Sequence, residues 1–130
     1  MAEARANGLP KMVAVIGGIS FLIFGIWALA APESFFDSLA TFKPYNQHFI
    51  QDIGAFQLGL GAVLVLAASG RTDALATALL GVGVGSSAHV LAHVIGRDLG
   101  GEPARDISLF IVLSAVLLFA GLKQAKRTDR

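Results

Sequence analysis

Apolar residues in this chain fall into four long blocks, and the polar residues crowd into the breaks between them. The blocks run from Met12 to Ala31, from Gln47 to Ser69, from Asp73 to Gly96 and from Asp106 to Leu122. Each has the length of a segment that crosses a hydrocarbon layer of about 30 Å. A chain in lipid has to satisfy its own backbone N–H and C=O groups, which a helix does internally. The pattern predicts an all-α fold: a four-transmembrane-helix bundle, up-down-up-down. It forms one integral membrane domain over residues 1–130, with 123–130 as a basic cytoplasmic tail.

The breaks carry the expected punctuation. Pro32 ends the first helix and Pro44 precedes the second. Between them, "PESFFDSLATFKPYN" holds Phe35, Phe36, Phe42 and Tyr45, a composition suited to headgroup depth. "SGRT" reads as a tight turn in which Thr72 or Asp73 caps the third helix. Gly100, Gly101 and Pro103 break "GRDLGGEPAR" before the fourth. The first block is too long for the apolar core of a typical signal peptide and reads as a span, although "ALAAP" resembles a cleavage site.

Charge sets the orientation. With the N-terminus inside, seven Lys and Arg residues lie on the cytoplasmic side: Arg5, Lys11, Arg71, Lys123, Lys126, Arg127 and Arg130. Three lie outside: Lys43, Arg97 and Arg105. That asymmetry puts both termini in the cytoplasm. The chain is 55% hydrophobic with a net charge of +1, and no basic stripe with interleaved aromatics appears, so the expected partner is the bilayer rather than nucleic acid. The absence of cysteine excludes disulfides, thiolate metal sites and Fe–S clusters.

Small residues mark candidate helix packing. Gly81 and Gly85 form a GxxxG with Gly83 between them, and Ala55 and Gly59 form a small-xxx-small pair. Either face suits packing within the bundle or contact with a second copy.

The chain's three histidines are His48, His89 and His93. "NQHFIQDIG" sets His48 four residues before Asp52, and "SSAHVLAHVIGRD" sets His89 four residues before His93. Residues four apart share a helix face. If the second and third helices pack antiparallel, the extracytoplasmic ends offer two rungs: His48 facing His93, and Asp52 facing His89. Asp52 is the carboxylate that reads as lying well inside a span, where a charge is costly without a partner.

Three chemistries fit. The first is a metal centre of His48, Asp52, His89 and His93, with Zn²⁺, Fe²⁺ or Cu²⁺ as ion, closed with four ligands and open with three. A haem between histidines on facing helices is a variant that needs more interhelical room. The second is a metal-free proton relay or quinone headgroup site, extended by Gln51, Gln57, Ser86 and Ser87, with Arg97 and Asp98 at its mouth. The third is structural: interfacial imidazoles and one interhelical hydrogen bond. Trp27 reads as an interfacial anchor. Ser86 and Ser87 lack the elbow of a serine nucleophile. The basic tail reads as a positive-inside determinant.

The first helix ending "GIWALAAPESF", the second opening "HFIQDIGAFQLGLG" and the His-x-x-x-His third helix together resemble the small four-helix bacterial membrane proteins grouped as DoxX-like. The resemblance implies a four-helix bundle in the bacterial inner (plasma) membrane. Thiol-linked chemistry associated with some of those proteins does not carry over to a chain without cysteine. The sequence thus predicts a multi-pass membrane protein with a His/Asp site near the extracytoplasmic face, linked to metal, haem, quinone or proton chemistry. The alternative is a non-catalytic structural or accessory subunit of a larger membrane complex. No reaction is fixed by the pattern.

Overall fold

The computed structural model describes residues 8–70 and 74–128. They form five helices: α1 (Gly8–Ala30), α2 (Pro32–Ser38), α3 (Gln47–Ala68), α4 (Leu75–Ile95) and α5 (Pro103–Thr128). No strand occurs among the described residues. The four long helices are each long and apolar enough to cross a membrane.

Several boundaries differ from the sequence expectation, among them the start of α5 at Pro103 rather than Asp106. Helix α1 starts at Gly8 rather than Met12; its Pro10 lies in the first turn, where a missing N–H is harmless. Helix α5 runs on to Thr128, so most of the supposed tail is its last turns. Lys and Arg are good helix formers, and Lys126 and Arg127 complement the negative end of the helix dipole. The expected interfacial segment folds its first part as α2, with Pro32 fixing φ at the start. Asn46 caps α3 by accepting a hydrogen bond on Oδ1 from the Phe49 N–H at 3.1 Å. The proposed Thr72 or Asp73 cap lies outside the described residues; among those described, Ala74 stands at the cap of α4 without a side-chain bond.

The helices pack chiefly as two antiparallel pairs, α1 with α3 and α4 with α5. Glycine explains the first pair. A Cβ on Gly61 would stand 2.7 Å from the Gly18 carbonyl oxygen, and one on Gly54 would stand 2.9 Å from that of Gly25. Gly18 and Gly25 are seven residues apart, as are Gly54 and Gly61, so one seam returns every two turns. Lipid gives no hydrophobic drive between helices, and close backbone approach supplies the dispersion contact instead. In the second pair leucines seat on glycines: Leu118 covers Gly83, and Leu80 covers Gly121.

The sequence pointed to neighbouring small residues instead. Gly59, Gly81 and Gly85 have nothing within 4 Å of a notional Cβ, and Ala55 is exposed. These residues face away from the seams, one or two positions off the residues that pack.

The two pairs meet unevenly. The start of α1, the end of α3, the start of α4 and the end of α5 lie at one end, called here the terminal end. There a single buried cluster draws on every long helix: Ala14, Leu64, Ala67, Ala68, Leu75, Ala78, Leu79, Val82, Leu117 and Ala120. The other end, the loop end, carries the 31–46 and 96–102 connections. Its buried cluster comprises Ala28, Phe35, Phe36 and Ile50, from α1, α2 and α3 alone.

Candidate functional site: an imidazole pair at the loop end

His89 and His93 lie one turn apart on α4 near the loop end. Their Nε2 atoms are 3.0 Å apart, a hydrogen bond in which one ring donates and the other accepts. The rings stack with centroids 4.8 Å apart. Phe110 of α5 lies against both, with its ring centroid 4.1 Å from His89 and 5.3 Å from His93. Phe42, from the α2–α3 connection, lies 5.6 Å from His93. His93 therefore has two aromatic neighbours and is half-buried, while His89 is exposed.

Antiparallel pairing sets this neighbourhood. The Leu–Gly contacts fix the register of α4 on α5, which brings the His89 turn level with Phe110. One turn earlier on α5, Asp106 is buried at 8% exposure. Arg105 donates from Nε to Asp106 Oδ1 at 2.8 Å and from Nη2 to the Leu39 carbonyl at 3.3 Å. The carboxylate charge is thus compensated where water is scarce.

Asp52 takes no such role. Its Oδ2 lies 3.6 Å from His48 Nε2 on the same helix, with the two side chains 55% and 88% exposed. An exposed pair of this kind contributes little. The structure therefore brings His48 to Asp52 and His89 to His93, each pair within one helix. The expected rungs His48–His93 and Asp52–His89 fail because α3 seats on α1 and α4 on α5, so α3 and α4 are not tight partners. Among the described residues, no three His, Cys, Asp or Glu side chains converge as ligands for one ion. The four-ligand metal centre is not assembled, and two imidazoles alone are half of a tetrahedral zinc set. The two histidines that do meet leave no gap for a haem between them.

Of the remaining polar candidates, Gln51, Ser87, Arg97 and Asp98 have local partners, whereas Gln57 Oε1 is buried with no hydrogen-bond partner among the described residues. Ser87 Oγ donates to the Gly83 carbonyl at 2.9 Å, and Ser114 Oγ to that of Phe110 at 2.7 Å. Gln51 Nε2 donates to the Leu29 carbonyl at 3.4 Å. Trp27 Nε1 donates to Ser34 Oγ at 3.3 Å, and its ring meets Phe35 edge-on at 5.4 Å. Arg97 and Asp98 pair with each other at 3.9 Å, both exposed. In the α2–α3 connection the Tyr45 phenol is raised above its ordinary value, by desolvation and then by the charges of Glu33 and Asp37.

Toward the terminal end the buried cluster is apolar. Leu64, Leu79 and Leu117 are fully buried, and the cluster around them holds no titratable side chain.

Sequence reading missed Asp106, Arg105, Phe110 and Phe42. Asp106 and Phe110 were detectable as an i, i+4 pair opening an apolar helix antiparallel to the one bearing the histidines. Phe42 reaches its place through loop geometry that no periodicity reports. Comparison with known proteins adds no relative: no family model, curated protein or solved structure matches the chain.

Proposed function

We propose that this chain is a multi-pass protein of a bacterial plasma membrane whose His89–His93 pair exchanges protons with the extracytoplasmic side. The 3.0 Å Nε2–Nε2 contact carries this reading. Two imidazoles at that distance hold one proton between them, and either ring can release it while the other takes one up. Phe110 lies against both rings and holds them in place. The loop end faces outward in this reading because the Lys and Arg distribution along the sequence favours cytoplasmic termini.

The exchange is one-sided. A proton crossing the whole membrane would meet the apolar cluster of Leu64, Leu79 and Leu117, where no group can receive it. This favours a site that delivers or accepts protons at the outer leaflet, as protonation of a quinone-like headgroup there requires, over a conduction path.

The test is sidedness. In oriented proteoliposomes of a His48→Gln background, which removes the exposed third histidine, a pH jump applied only outside should change the histidine infrared bands, and replacing His89 and His93 together by alanine should abolish the change. A response driven by the interior pH would overturn the reading.

A second reading rests on a separate observation. Gly81 and Gly85 of α4 and Gly59 of α3 face outward, with nothing among the described residues within 4 Å of a notional Cβ. Such faces suit a second copy or a larger membrane complex, in which the protein serves as an accessory subunit. Cross-linking in native membranes separates a homo-oligomer from a hetero-complex.

A further inference from the structure

At the loop end, the segment carrying Leu39 and Phe42 crosses from the α1–α3 pair to the α4–α5 pair. The Leu39 carbonyl accepts from Arg105 Nη2, and the Phe42 ring approaches His93. The same ring lies against Gly101, where a Cβ would meet it at 3.0 Å. Gly101 has φ +79° and Gly100 has φ +116°, backbone that glycine adopts readily and other residues rarely do. A side chain at 101 would be strained by that φ and would press on the ring. The loop-end buried cluster contains no residue of α4 or α5, whereas the terminal-end cluster draws on all four long helices.

We infer that this segment is a clasp, with Phe42 as its pin, and that its release opens the loop-end halves of the two helix pairs and uncovers His93. The terminal-end cluster is the hinge. The clasp closes one side of His93, and Phe110 closes another. Release removes the former and leaves the latter, so access to His93 is governed by a residue that never takes part in its chemistry. Phe42 is a positioning residue for the pair. The inference rests on the His89–His93 site as the thing guarded, and the clasp is tested without any proton being followed.

The test is the rate at which diethylpyrocarbonate modifies each histidine in detergent-solubilised protein, read by mass spectrometry. Phe42→Ala should speed modification of His93 by about two- to tenfold, the factor that one aromatic contact carries. His48, already exposed, should keep its rate and serves as the internal control. Phe42→Tyr should keep the slow rate, and Gly101→Val, which displaces the ring from the other side, should reproduce the fast one. Circular dichroism at matched temperature excludes unfolding as the cause. An unchanged His93 rate in folded Phe42→Ala overturns the clasp, as does equal acceleration of His48. Either result would leave the proton-exchange reading to stand or fall on its own measurement.

Discussion

Gly61 meets Gly18 backbone to backbone: a Cβ on Gly61 would stand 2.7 Å from the Gly18 carbonyl oxygen and 2.9 Å from the Leu22 nitrogen. Neither atom can move without moving a helix. Gly61→Val should therefore cost about 1–3 kcal/mol of overpacking, seen as a lower thermal midpoint in detergent. Gly59→Ala, two residues away and facing open space, should be neutral or gain up to about 1 kcal/mol of helix propensity. A large loss at Gly59 in the monomer would contradict this packing.

The outward glycines give a related prediction. Gly81→Ala and Gly85→Ala should leave monomer stability unchanged or higher. If both also leave cross-linking yields in native membranes unchanged, the second-copy contact through α4 is excluded.

The Arg105–Asp106 pair should behave as a buried charge with one partner. Arg105 is 39% and Asp106 10% exposed at the side chain, so solvent screens part of the interaction. Arg105→Met should lower the thermal midpoint, chiefly by leaving the carboxylate uncompensated. Asp106→Asn in the same chain should recover part of that loss. A simple sum of the two single effects would mean the pair is not coupled.

Coupling also distinguishes the observed site from the one expected across α3 and α4. Asp52 pairs with His48, and His89 lies against Phe110. Asp52→Ala and His89→Ala should add within about 0.5 kcal/mol, as separate sites do. His89→Ala and Phe110→Ala should not. Non-additivity between Asp52 and His89 would restore the cross-helix rung.

How much of this was legible in the sequence follows from which forces are local. Four spans could be read because apolar length is a one-dimensional property, and the His89–His93 pairing could be read because i, i+4 spacing fixes it. Helix partnership could not. Gly54 and Gly61 look no different from Gly59 along the chain, and a shift of a few residues turns a packing face toward lipid. Asp52 looked interior because a span was drawn around it, yet it lies in the second turn of α3 beside an exposed His48. Asp106 looked like a helix start and is buried, because Arg105 and the neighbouring connection cover it.

The most direct test of the central claim is the titration of His89 and His93, followed by ¹⁵N-histidine NMR in nanodiscs. A shared proton makes the two rings one titrating unit, so both should respond at each of two coupled steps. Removing either ring by alanine substitution should leave its partner with a single simple step. Two independent titrations in the wild type, each unaffected by loss of the other ring, would contradict the account.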